Sequence, residues 1–233
     1  MKESRVMTKL IVTTSWDDGS VLDLKLAEML TKYGIKGTFY IPKSHKNVTP
    51  LQRADIVKLA AEHEVGAHTV NHPHLTQIPP AEAKTEIIDS KIYLEEILGK
   101  KIRMFSYPFG EYNEVIKGIL KDCGFIGART VKPVQPGDIF DPFEFGITVF
   151  ASNGRLIEMV KTSPELDWEP KAKKLFDTAL ENGGIWHIWS HSWDIDNHGE
   201  WDKLDRILKY VANKPDVLYA TNGETIDTVS GKQ

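Results

Sequence analysis

Short apolar runs alternate with helix-patterned segments along this 233-residue chain, one pair about every 30 residues. Leu10-Ile11-Val12 reads as a buried strand. Val21 to Tyr33 carries Leu22, Leu26, Met29 and Leu30 on one helical face, and Gly34 closes it. Gly37 to Ile41 is a second strand, stopped by Pro42, and Thr49-Pro50 offers a cap and first turn for a helix to about His63. Val65 to His68, Ile102 to Ser106, Phe125 to Arg129, Phe145 to Phe150, Ile185 to Trp189 and Val217 to Ala220 repeat the strand pattern. Helices are expected from Pro80 to Leu98, Asn113 to Asp122, near Arg155 to Lys161, Trp168 to Glu181 and Trp201 to Ala212. Val131 to Phe143, with Pro133, Pro136 and Pro142, reads as a long loop. Such units predict an α/β fold, a single domain over residues 1–233, with about seven parallel strands closed or nearly closed into an irregular, TIM-barrel-like (β/α) barrel. The C-terminal ends of all its strands would then share one face, where ligands bind in such folds.

The bulk numbers remove several classes. A net charge of -4 gives no basic surface for nucleic acid. No apolar run approaches the roughly 18 residues that span a bilayer, and no apolar core of a signal peptide follows the charged Met1 to Arg5. The expectation is a cytoplasmic protein without a membrane partner. The single Cys123 excludes an intrachain disulfide and reads as a small buried residue near a helix end.

Two clusters of polar residues fall at predicted strand ends. Trp16-Asp17-Asp18-Gly19 puts adjacent carboxylates against a residue suited to a tight turn. Neighbouring carboxylates repel, so one can hold a cation while the other takes a proton. His68-x-x-x-His72 brings two imidazoles to one side of a tight loop or helical turn. One carboxylate and two neutral imidazoles form a common set for a divalent cation with positions left for water and substrate. Taken singly, the first cluster reads as a solvated turn, while for the histidine pair capping or surface placement is only the alternative to ligation.

Together they resemble the first two motifs of the polysaccharide deacetylase family, carbohydrate esterase family 4 or the NodB-homology domain. Trp16 stands where that family has Phe or Tyr. Its third motif, Arg-x-Pro-Tyr-Gly, resembles Ser106-Tyr107-Pro108-Phe109-Gly110, with Ser106 at the Arg position. Asp167-Trp168 resembles the fourth motif, and Trp189-Ser190-His191 the fifth. The resemblance implies a NodB-type barrel and a metal held by Asp18, His68 and His72, usually zinc, with cobalt, nickel or iron as alternatives. It implies Asp17 as general base, His191 as general acid, and Asp167 as the residue that tunes His191. An equal alternative makes Asp167 only a helix cap. Tyr107, Phe109 and Trp189 would face the substrate, with a backbone N–H near Phe109 for the oxyanion. Trp186, Trp189, Trp193 and Trp201 can stack on sugar or belong to the core. His187 shares a strand face with His191, which lies nearer the strand end. Lys101, Arg103 and Arg129 are the candidates for the missing guanidinium, and Arg129 ends a strand on the expected face.

The implied activity is removal of N-linked acetyl groups from an amino-sugar polysaccharide or oligosaccharide. A second reading keeps the metal but takes a cyclic imide or ureide, since the third motif is altered. A third is a carbohydrate-binding protein without catalysis.

Overall fold

A computed structural model of the chain describes residues 10–152 and 167–231. The helix expected near Arg155 to Lys161 lies outside the described residues. The strands are β1 (Leu10–Asp17), β2 (Gly37–Ile41), β3 (Glu64–Ala67), β4 (Met104–Ser106), β5 (Gly127–Pro133), β6 (Phe145–Ile147), β7 (Val149–Phe150), β8 (Gly184–Ser190) and β9 (Val217–Tyr219). The helices are α1 (Asp23–Lys32), α2 (Arg53–Leu59), α3 (Pro80–Leu98), α4 (Glu114–Asp122), α5 (Trp168–Asn182), α6 (Ser192–Asn197), α7 (Trp201–Val211) and α8 (Asn222–Val229).

The sheet runs β6-β5-β4-β3-β2-β1-β8-β7, and its neighbours are parallel. The segment read as one strand from Phe145 to Phe150 changes partner midway. β6 pairs with β5 and β7 with β8, so this one segment nearly closes an eight-stranded barrel. This is the expected irregular (β/α) barrel. β9 lies off the path. β8 takes one edge of β1 from Leu10 to Trp16, while β9 at Leu10 to Val12 and β2 from Thr14 to Asp17 share the other.

β1 is longer than its apolar run, and all eight of its residues are buried. Thr13, Thr14 and Ser15 tolerate burial because each hydroxyl is hydrogen-bonded. Thr13 Oγ1 donates to Asn222 Oδ1 at 2.8 Å, Thr14 Oγ1 to Lys36 O at 3.1 Å, and Ser15 Oγ to His187 Nε2 at 2.8 Å. Outside the barrel, Leu26 and Leu30 of α1, Ile87 and Leu94 of α3, and Leu204 and Leu208 of α7 bury the helices' apolar faces.

Several boundaries differ from the sequence reading. α2 begins at Arg53, not at Thr49, because the Asp55 carboxylate returns to the Gln52 N–H at 2.9 Å and fixes the cap there. β5 continues to Pro133 into the expected loop, and a short 3-10 turn occupies Pro142–Glu144. Cys123 is half-buried at the C-cap of α4. α6 and α8 have no counterpart in the sequence reading. Among the described residues, no helix is long and apolar enough to cross a membrane.

Candidate active site

The C-terminal ends of β1, β3, β4 and β8 open onto one cavity of about 810 Å³. Asp17, Asp18, His68, His72, Tyr107, Phe109, Trp189 and His191 all line it. The chain turns sharply to get them there. Asp18, Thr69, His72 and Phe109 all have positive φ, from 56° to 78°. Asp18, His72 and Phe109 line the cavity and Thr69 lies in the loop between its two histidines, and residues in this sparsely populated region are held there by the surrounding structure. Gly19 follows Asp18 at φ 61°, and a Cβ there would meet Ile41 Cγ2 at 2.8 Å. That turn therefore excludes larger residues.

The 68–72 loop is clamped rather than helical. Thr69 Oγ1 donates to His68 O and accepts the His72 N–H at 3.0 Å. Glu86 of α3 accepts the Val70 and Asn71 N–H groups at 2.9 and 2.8 Å. His68 Nδ1 donates to Ser106 O at 2.8 Å, so its Nε2 faces the cavity as an acceptor. Burial lowers the pKa of both imidazoles and keeps them neutral, with the neighbouring His68 adding to the effect at His72.

Asp18 is the centre of this group. Its Oδ1 is buried without a hydrogen-bond partner, and His68, His72 and His45 Nε2 lie 3.7, 3.6 and 3.8 Å from it. Those separations exceed a hydrogen bond and approach the roughly 3.4 Å that neighbouring ligands span when each sits about 2.1 Å from one tetrahedral ion. The donor set fits a divalent cation. Ligand atoms of Asp18, His45 and His72 all lie within 4.8 Å of one another, a group that does not take in His68, whose Nε2 lies 3.7 Å from Asp18 Oδ1. His45 was not singled out from the sequence. The available signal was a histidine four residues past the end of β2, on the face where the other strand ends converge. Trp193 Nε1 donates to Asp18 Oδ2 at 2.9 Å and fixes the carboxylate from the other side.

Asp17 has a different environment. Arg129 of β5 and Trp189 of β8 both donate to its Oδ2, Trp189 Nε1 at 3.0 Å. Burial opposes ionisation, but the Arg129 guanidinium, with His68 and His191 nearby, outweighs it and holds the pKa at about 2. Arg129 is fully buried between the rings of Tyr40 and Trp189, at 5.5 and 4.9 Å. It also donates to Ser106 Oγ, its registered neighbour in the sheet. Of the three candidate cations, Arg129 therefore occupies the place left by Ser106. Arg103 pairs with Asp227 at 2.6 Å instead.

His191 sits at the N-cap position of α6, and its Nε2 lies 3.7 Å from Asp18 Oδ2. His187 is elsewhere: its Nδ1 donates to Gly146 O at 2.7 Å and its Nε2 accepts from Ser15, inside the barrel. Of the two roles open to Asp167, the contacts seen among the described residues are those of the cap. Its Oδ1 accepts the Glu169 N–H at 3.2 Å and lies 3.1 Å from Lys203 Nζ. Tyr107 lines the cavity with its ring, while its hydroxyl donates to Phe143 O at 3.0 Å. Phe109 forms an exposed lip, stacked on His74 at 3.8 Å. Trp186 is core and donates to Ala172 O, and Trp201 stands away from the cavity with Lys25 over its ring.

The family model described as polysaccharide deacetylase matches residues 5–128. That stretch holds Asp17, Asp18, His68, His72, Tyr107 and Phe109, and stops short of Arg129, Trp189 and His191. A peptidoglycan-N-acetylglucosamine deacetylase of Bacillus cereus is 29% identical over 110 residues, 46% of this chain and 38% of that protein. The chain spans less than half the length of the curated relatives it matches first. Two solved structures share the fold over nearly the whole chain. A Mycobacterium smegmatis protein assigned as a polysaccharide deacetylase has a TM-score of 0.73 at 17% identity, covering 97% of this chain and 92% of its own. A family 4 carbohydrate esterase from Streptomyces lividans, solved with acetate, has a TM-score of 0.61 at 18% identity, covering 92% and 93%.

Proposed function

Because the chain belongs to the polysaccharide deacetylase family, we propose that residues 1–233 act as one catalytic domain, a metal-dependent hydrolase that removes N-linked acetyl groups from an amino-sugar polysaccharide or oligosaccharide. The observation that carries this reading is the division of labour between adjacent carboxylates. Asp18 meets a ring of imidazoles, while Asp17, one residue away, is held by a guanidinium and an indole.

In this reading Asp18, His68 and His72 hold the ion. A bound zinc, cobalt, nickel or iron ion would polarise the amide carbonyl and bring the pKa of water from about 15.7 toward 7. Asp17 takes the proton of the attacking water. Its low pKa keeps it ionised through the physiological range, and Trp189 and Arg129 fix the direction of its remaining lone pairs. The backbone near Phe109 donates to the oxyanion. His191 gives a proton to the amine nitrogen as the C–N bond breaks, which spares the leaving group a negative charge. Phe109 offers an exposed aromatic face for the sugar at the rim. Asp167 supports α5 rather than the acid.

Arg129 beside Asp17 favours the acetamide over a cyclic imide or ureide, since the altered third motif was the reason to consider the latter. The relative from Bacillus cereus, by name a deacetylase of N-acetylglucosamine in peptidoglycan, supports an amino-sugar substrate. The test is acetate release from acetylated chito-oligosaccharides by zinc- or cobalt-loaded protein, beside Asp17→Asn. Acetate from the parent and about 10²–10⁴-fold less from the variant is expected. A metal-loaded parent that releases no acetate from any acetylated amino sugar would sink the substrate assignment.

A further inference from the structure

We propose that His45 is a further metal ligand, so that the ion is held by Asp18 and three imidazoles rather than two. This rests on the metal-dependent reading above and adds a residue outside the motifs that suggested it. His45 follows β2 on the segment Pro42-Lys43-Ser44, and that segment is zipped to the metal loop. The Lys43 N–H donates to Thr69 O at 3.1 Å and the Ser44 N–H to Val70 O at 2.8 Å. These two bonds run the segments side by side and bring the His45 ring edge-on to His72, at 5.0 Å between centroids.

The side chain is placed as a ligand would be. It is 11% exposed and aims Nε2 at Asp18 Oδ1, the buried oxygen that lacks a hydrogen-bond partner. The Asn47 N–H reaches Nδ1 only at 3.4 Å, the outer limit of a hydrogen bond. In that contact Nδ1 is the acceptor, so ligation through Nε2 requires the ring to give up this long bond and carry its proton on Nδ1. No other acid lies as near to that nitrogen among the described ion pairs.

A fourth protein ligand changes what the site selects. Four protein donors around a tetrahedral zinc leave no open position, as in structural sites. Room for water and substrate then requires five or six ligands, which favours ions that accept an expanded shell, such as cobalt, nickel or iron.

The test needs no turnover. X-ray absorption of the zinc-loaded parent counts imidazoles directly, and chelator competition gives zinc affinity for the parent, His45→Gln and His72→Gln. The expected result is three imidazoles in the parent, two in His45→Gln, and affinity lowered more than about 100-fold, beyond the usual loss of an outer-shell partner. Melting of the metal-free forms reports folding separately, and the parent's imidazole count depends on no variant. Two imidazoles in the parent, with zinc affinity lost in His72→Gln and kept in His45→Gln, would overturn the assignment while leaving the metal reading intact. A parent that binds no zinc or cobalt would overturn both.

Discussion

Ser106 and Arg129 face each other across the β4–β5 pair, and the guanidinium of the second donates both to the hydroxyl of the first and to the carboxylate of Asp17. The guanidinium thus reaches the Asp17 carboxylate from β5, the strand beside the one that carries Ser106. Replacing it with Met removes the opposing charge from a buried acid, whose pKa must then rise. The acid limb of the pH–rate profile for acetate release is expected to move up by about one to three units in Arg129→Met, and less in Arg129→Lys. An acid limb that stays in place in Arg129→Met would disconnect Arg129 from the base.

Trp189→Phe keeps the ring beside Asp17 and removes the N–H. A hydrogen bond to a charged group contributes about 1.5–3 kcal/mol, so kcat is expected to fall roughly 10- to 100-fold. KM should hold if the indole serves Asp17, and should rise with little change in kcat if it mainly stacks on sugar.

Asp167→Ala separates capping from tuning. Loss of a cap costs about 1 kcal/mol, or roughly 2–4 °C of melting temperature in a chain of this size. The basic limb of the pH–rate profile is expected to stay where it is. A basic limb displaced by a full unit would instead tie Asp167 to His191.

His187 gives the fold a pH dependence of its own. Burial drops its pKa to about 3, with the Gly146 bond only partly opposing. Above the ordinary value of 6.5 both folded and unfolded chains hold it neutral. As pH falls from 6.5 toward 3 the unfolded chain takes up a proton that the folded one refuses, and stability declines, by roughly 4 kcal/mol over the full range. Denaturant midpoints measured across that interval should slope less in His187→Asn than in the parent.

What the sequence made legible follows from what lies close together in it. Asp17-Asp18 and His68 with His72 could be read because each pair sits within a few residues at a strand end. His45 could not, because one histidine in a loop has no partner at a diagnostic spacing. It belongs with the others only through the backbone bonds between residues 43–44 and 69–70. Arg129 was one of three candidates, already set apart as ending a strand on the expected face, and its bonds to Asp17 and Ser106 separate it from Arg103, which pairs with Asp227. Thr13 to Ser15 look like a strand's end, yet they continue β1 because Asn222, Lys36 and His187 supply partners from far along the chain. α8 carried a readable signal, Thr221 and Glu224 forming a reciprocal cap, which the Asn222-Gly223 turn signal masked.

β1 leans on β8 along its length, with Ser15 and His187 separated by 172 residues. On a ribosome adding about 5–20 residues per second, that interval lasts roughly 10 to 35 s. Through it the central strand has one edge uncovered, the kind of surface on which chains join one another. The same delay orders the chemistry. Asp17 and Asp18 are made well before His191, so no nascent chain carries both the proposed base and the proposed acid until the strand that shelters β1 has emerged.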